Sequence, residues 1–335
     1  MPQHKNKGRR YLAEDKAAAV RMVPTLRAEL GMSQGTTSRV AEQLGYGVER
    51  ICKVLQVAPS TYYAANGRPA SARQIRDAKV APRLLEIWEA NYFVYGVRKV
   101  WKAAKRTGTE IGRDQVARLM KILEIERMRR EKRHKTTKPD PKAPRHPDLM
   151  NRVFSAAAPN QLWVTDLTFV PTWQGLAYVC FIIDAFSCAI VGWRCASNMK
   201  TGTVLDAIEM ARWSRGRHLP QLRCHSHTDS QFTSIRYGEP LAEIAATPSM
   251  GTVGDSYDNA LAETMNGYYK AELVRGPAKP GPWKTVDDLK LATLGWVHWH
   301  NTKRLHGDLG DVPPFEYEES FYAGVTSAKE LVEIK

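Results

Sequence analysis

The chain has 335 residues, 43% of them hydrophobic, and a formal net charge of +14 at pH 7. That length predicts two or three domains with real cores, and the charge points to nucleic acid as partner over a merely basic, solvated surface. No apolar run reaches the roughly 18 residues of a membrane span, MPQHKNKGRR leads into no apolar segment of a secretory signal, and Cys52, Cys180, Cys188, Cys195 and Cys224 form no C-x-x-C pair, so reduced thiols and a cytoplasmic location are expected.

Residues 1–66 read as a helical, helix-turn-helix-like region. Ala17, Val20, Val23 and Leu26 recur at helical spacing, with Pro24 as a kink or break. Val40, Leu44, Val48, Ile51 and Leu55 continue the pattern past a turn at Gly45 and Gly47. VAPSTYY starts a short helix with Ser60 as its expected N-cap. The N-terminal part shows no sustained heptads, so no zipper is expected there.

Residues 67–128 form a second region of this kind. LLEIWEANY, YGVRKVWKAAKRTG and IGRDQVARLMKILEI read as three helices, the second ending at Gly108. The third carries Arg113, Arg118 and Lys121, which suits a helix that contacts DNA. Residues 129–158 read as a basic, proline-rich linker. Arg129, Arg130 and Arg133 crowd there with Lys132, Lys135 and Lys138, and each cation that neutralises a phosphate releases a counterion.

From Asn160 the texture changes. LWVTDLTFV, GLAYVCFIID and CAIVGWRCA read as strands, the last two joined by a turn behind Asp184. TGTVLDAIEMARWSRG reads as an amphipathic helix, LRCHSHT as a fourth strand, and YGEPLAEIAA and DNALAETMNGYYKAEL as helices. RGPAKPGPW is a loop, followed by the helix of VDDLKLATLGWVHWHNTKRLHGDLG, with Trp296 and Trp299 expected in the core. The expected fold class is α+β: N-terminal all-α helix-turn-helix regions, then a mixed sheet with helices over 159–320, including a C-terminal helical tail.

Asp166 lies inside an apolar strand, where a carboxylate is costly unless paired or bound to a metal. Glu263 lies on a helix with Asn259 four residues before it and Lys270 seven after, so the three share one helical face. Amide, carboxylate and ammonium on one face can position phosphates around a metal. Asp184 reads as a turn residue. A zinc site from Cys224, His225, His227 and His218 is disfavoured, because its donors crowd one short strand without the paired loops that zinc needs.

One acid on a first strand, one at the end of a fourth strand and one on a late helix is the layout of ribonuclease H-like phosphoryl transferases. The stretches WVTDLTFV (163–170), FIIDAFS (181–187), SQFTS (230–234), GDSYDNALAE (254–263) with Lys270, and HNTKRLH (300–306) followed by Pro313 and Pro314 carry a resemblance. The chain resembles bacterial insertion-sequence transposases of the insertion sequence three kind, which have a retroviral-integrase-like core. Residues 50–135 resemble the helix-turn-helix region before that core, and residues 9–48 the short upstream-frame protein that such elements fuse by frameshifting.

The resemblance implies a ribonuclease H-like α/β/α core that cleaves DNA at the ends of an insertion sequence and transfers the strand to a target. It implies two Mg²⁺ ions, with Mn²⁺ as a substitute, held by Asp166, a second acid and Glu263. It also implies a homo-oligomer on DNA, in a bacterial cytoplasm with the nucleoid. Lys270 would touch DNA-end phosphate, and Asn259, Arg304 and His306 join it as expected DNA contacts.

The second acid falls in HSHTDSQFTS. A gapless match to the family pattern H-S-D-x-G-S-Q-Y puts His227 at the acid position, and the thirty-five residues between His227 and Glu263 fit the family spacing. A two-residue deletion after the acid would instead make it Asp229. Residues two apart on a strand share a face about 6.6 Å apart, and a bulge can bring one to the other's place. Hard Mg²⁺ prefers oxygen ligands, which favours Asp229, with His227 as the alternative occupant. With only His227 there, the chain would be an impaired copy that binds DNA or represses transposition.

Overall fold

The computed structural model describes residues 49, 52–53, 56, 58–128, 155–199, 201–216, 218–226, 241–243, 245–250, 260–278 and 282–333. Most of the expected helices before residue 58, half of the helix read in YGEPLAEIAA, the linker cations Arg129, Arg130 and Arg133, and His227, Asp229 and Asn259 lie outside the described residues. Contacts divide the chain into two compact units, 1–78 and 79–335.

In the first unit, helix α1 (Pro59–Gly67) starts with Ala58 as its N-cap. Ser60, the expected cap, is instead the second helical residue. Proline has no N–H to satisfy and its φ is already helical, so the helix starts on Pro59 without a hydroxyl cap. Helix α2 (Ala72–Glu89), which runs across the unit boundary, opens on a reciprocal pair. Gln74 N–H donates to Ser71 Oγ at 3.3 Å, and Ser71 N–H donates to Gln74 Oε1 at 2.8 Å.

The second unit opens with α3 (Val97–Arg106) and α4 (Arg113–Ile122), and Gly108 at φ +76° closes the turn after α3. Val100, Ala104, Val116, Leu119 and Met120 are buried. They share one core with Val164, Phe181, Tyr269, Trp296 and Leu305 of the sheet region.

The sheet has five strands: β1 (Leu162–Thr172), β2 (Gly175–Asp184), β3 (Ile190–Ala196), β4 (Arg223–Ser226) and β5 (Thr247–Met250). Their order is β3-β2-β1-β4-β5, antiparallel from β1 to β3 and parallel from β1 to β5. The mixed sheet matches the expectation. Strand β5 was not anticipated: it has four residues and contains Pro248, which only an edge strand tolerates well.

Alternation along β1 separates two layers. Trp163 faces α5 (Thr201–Arg215), where Val204, Ala207, Ile208 and Ala211 pack on Cys180, Ile182 and Val191. Gly192 allows this approach, because a Cβ there would lie 2.1 Å from the Ala207 carbonyl oxygen. Val164 faces the other layer, formed by α6 (Ala260–Tyr269), a π-helical turn (Lys270–Val274) and α7 (Val286–Thr302). There the Phe181 ring lies 5.0 Å from Tyr269 and 6.0 Å from Trp296. Helix α7 begins on a capping box between Thr285 and Asp288, and α8 (Pro314–Glu333) ends the described chain.

Candidate active site

Strand β1 carries Asp166 half-buried at the point where α6 crosses it. Leu167 N–H donates to Asp166 Oδ1 at 2.8 Å, and Asn266 Nδ2 donates to Asp166 Oδ2 at 2.9 Å. Asn266 is only 9% exposed, so this bond ties α6 to β1 from inside. Glu263 sits three residues before Asn266 in the same helix, hence one turn away on the same face. The face of α6 that carries Glu263 is thereby set against the strand that carries Asp166. Glu263 also lies in the first turn of α6, where the helix dipole favours negative charge. Asn266 escaped the sequence reading, although its spacing from Glu263 was the available signal.

Strand β4 supplies the third side. Its last described residue, Ser226, pairs with Thr165, the neighbour of Asp166. The positions expected to hold the second acid, His227 and Asp229, lie beyond it. Among the described residues, no group of three or more His, Cys, Asp or Glu could hold a metal ion. His225 is buried with its Nδ1 3.0 Å from Ser249 Oγ, which links β4 to β5, while Cys224 faces the α5 layer.

Asp184, expected as a turn residue, is instead the last residue of β2, and its side chain ties down the turn that follows. It is fully buried and accepts N–H bonds from Asn160 at 2.7 Å, Phe186 at 2.9 Å and Ser187 at 3.3 Å. Burial pushes its carboxyl above the usual range, against the pull of these donors.

Lys270 opens the π-helical turn, where one unbroken α-helix was expected. Its Nζ lies 4.7 Å from the centre of the Phe169 ring. Two residues on, Glu272 points inward and meets Arg304, with side chains 8% and 2% exposed. Arg304 Nη2 donates to Glu272 Oε1 at 2.6 Å, and Nε donates to the same carboxylate at 3.0 Å. Trp296 Nε1 adds a bond at 3.3 Å, and the guanidinium lies 4.0 Å from the Tyr268 ring centre.

Arg304 and His306 were expected on DNA; in the structure they are 1% and 6% exposed and belong to this interior network. The reason is electrostatic: a carboxylate turned into the core requires a cation beside it. His300 is pushed down to about 3 by burial and by the Arg304 charge, and burial lowers His306 as well, so both imidazoles are neutral.

The basic helices divide their roles. On α3, Arg98 and Lys102 meet Asp311 at 3.0 and 3.5 Å, and Arg106 pairs with Glu316. On α4, Arg113 and Lys121 are exposed and Arg118 is half-buried. Arg113 and Lys121 are eight residues apart and share a face.

The chain is similar to several known proteins. The chain matches a family model described as an integrase core domain over residues 156–256, a second integrase core domain model over 245–314, and an HTH-like domain model over 74–134. It is 48% identical over 274 residues to a putative transposase for insertion sequence element IS986/IS6110 from Mycobacterium tuberculosis, covering 80% of this chain and 97% of that one. It is 44% identical over 285 residues to the transposase for insertion sequence element IS629 from Shigella sonnei, covering 84% and 94%. Among solved structures it is similar to a simian T-cell lymphotropic virus intasome, at 13% identity and TM-score 0.41, covering 64% of this chain and 69% of that chain. It is also similar to the HTLV-2 integrase catalytic core domain in complex with magnesium, at 16% identity and TM-score 0.37, covering 49% and 99%.

Proposed function

Because the chain belongs to the insertion-sequence transposases that join a helix-turn-helix-like region to an integrase core, its function is DNA transposition, and we propose that Asp166, Asp229 and Glu263 carry the chemistry. The reaction is strand cleavage at the element's ends followed by strand transfer, both phosphoryl transfers. The Asp166–Asn266 bond is the observation that carries this reading, since it sets the Glu263 face of α6 against β1.

The donor chemistry fits Mg²⁺, and Mn²⁺ as a substitute: two half-buried carboxylates offer hard oxygen ligands, and neither is sealed from solvent. When bound, two such ions would neutralise charge on the reacting phosphate and sharpen the attacking oxygen. Asn266 and the Leu167 N–H orient the Asp166 carboxylate. Lys270 holds the DNA-end phosphate, and Asn259 makes a further DNA contact. Arg113, Arg118 and Lys121 of α4 grip the element's terminal inverted repeat, and Arg129, Arg130 and Arg133 of the linker follow the backbone.

The Thr165–Ser226 register supports a second acid among the residues just after β4. Asp229 brings the oxygen ligand that Mg²⁺ prefers, and His227 is the alternative. In this reading residues 1–66 and 67–128 bind DNA, 129–158 link, and 159–320 catalyse. The protein works as a homo-oligomer on element ends and target DNA, with the nucleoid in a bacterial cytoplasm; no helix among the described residues is long and apolar enough to cross a membrane.

The test is strand transfer on a duplex ending in the element's own inverted repeat, with Mg²⁺ or Mn²⁺. Asp229→Ala should lose activity with both ions, and His227→Asp should gain none. A gain in His227→Asp beside an active Asp229→Ala would move the second acid to position 227.

A further inference from the structure

Toward their hairpin end, β1 and β2 run past α5, although Val170 and Ala177 on the opposite face stay buried. Near their inner ends the α5-facing side is buried at Trp163, Cys180 and Ile182. Farther along that side Phe169 is 43% exposed and Leu176 49%, and Trp173 at the hairpin tip is 76% exposed. Phe169 pairs with Tyr178 and Pro171 with Leu176, so these four share one face. The tip is held firmly. Thr172 Oγ1 donates to the Gly175 carbonyl at 2.8 Å, Gln174 N–H donates to Thr172 Oγ1 at 3.2 Å, and Trp173 N–H donates to the Trp283 carbonyl at 2.9 Å.

Among the described residues strand β4 pairs with β1 as far as Thr165, and farther along that edge Thr172 bridges Trp283. Lys270 comes from the acid side, and its ammonium lies over the Phe169 ring.

We propose that Phe169 and Trp173, edged by Lys270, form a base-stacking surface for unpaired nucleotides of the DNA strand that leaves the active site. Aromatic faces beside a cation offer what a nucleotide needs, a plane for the base and a charge for the phosphate. A protein partner covering the same face would have to bury the Lys270 ammonium as well, which is costly. Phe169 is three residues from Asp166 and Trp173 seven, so they stand about 10 and 23 Å along the strand. At about 3.4 Å per stacked nucleotide, they meet bases roughly three to seven nucleotides from the reacting phosphate.

The proposal rests on the DNA-transposition reading, and its test separates the two. Full-length chain is titrated with a labelled duplex ending in the inverted repeat, either blunt or with a single-stranded extension past the cleavage point. Trp173→Ala and Phe169→Leu should weaken binding of the extended duplex roughly five- to hundredfold, leave the blunt one unchanged, and spare the folded circular dichroism spectrum. Trp173→Phe should restore affinity. An abasic nucleotide at the stacked position should weaken wild type equally and make Trp173→Ala indifferent. Equal affinity of wild type and variants for the extended duplex would overturn the proposal. So would a change of sedimentation behaviour with no effect on the extension, which would mark the face as a protein contact. Failure of wild type to cut DNA with either ion, alongside the stacking pattern, would sink the catalytic assignment and leave this one standing.

Discussion

Arg304→Met should be among the most destabilising single substitutions in the protein. The change removes the partner of Glu272, whose side chain is 8% exposed, and leaves the carboxylate with only the Trp296 Nε1 donor. Breaking a buried pair from one side costs about 3–5 kcal/mol, because the surviving charge stays desolvated. Loss of the guanidinium from the Tyr268 ring acts in the same direction. At about 2–4 °C per kcal/mol for a domain of this size, the melting temperature should fall by roughly 6–20 °C. Replacing both partners, Glu272→Met with Arg304→Met, removes the stranded charge and leaves only neutral groups unpaired, the Trp296 indole N–H and a His306 ring nitrogen, a smaller loss than a stranded charge. Urea unfolding followed by circular dichroism measures all three proteins. A single variant within about 1 kcal/mol of wild type, or a double variant as unstable as the single, would refute the reasoning.

Asp166→Asn and Glu263→Gln should abolish strand transfer while anisotropy shows DNA affinity unchanged; activity in either would remove that residue from the chemistry. Asn266→Ala should lower kcat by about tenfold or more with little change in KM, the signature of lost orientation in the transition state; a KM effect alone would make Asn266 a DNA contact. The imidazole of His300 titrates near 3 in the fold against 6.5 in the open chain, so between these values only the unfolded state takes the proton. Stability should therefore fall as pH drops below 6.5, by about 2 kcal/mol at pH 5 from this residue. His300→Gln should flatten that decline in the urea midpoint, and an unchanged slope would count against it. Gly192→Ala drives a methyl into the Ala207 carbonyl and should cost about 1–3 kcal/mol or more; a melting temperature equal to wild type would contradict the close approach of α5.

The strands around Asp166 were legible because apolar β-branched and aromatic runs bounded by turn residues have few other outcomes. An acid inside such a run stood out for the same reason, and the structure does bring Asp166 and the Glu263 helix together. Other features leave no such trace. A π-helical turn at Lys270 alters hydrogen bonding over five residues, too few to change a periodicity. Arg304 and His306 read as DNA contacts, and only the burial of Arg304 against Glu272, thirty-two residues away, with His306 beside Arg304, shows otherwise. Strand β5 is too short to rise above its proline, and Asn266 matters only once α6 lies across β1.

Tyr95 receives the Leu305 N–H at 2.8 Å, and Asn91 receives the Trp299 indole N–H at 3.0 Å, so the α3–α4 pair and the α7 layer of the sheet are fastened through the interior, with the buried carboxylate of Asp311 as a further tie. Fastened in this way, the two act as a caliper with fixed jaws. On the proposal that Arg113 and Lys121 grip the inverted repeat and Asp166 serves the chemistry, the reach between them is constant, and the cut should fall a counted number of base pairs from the sequence that was read.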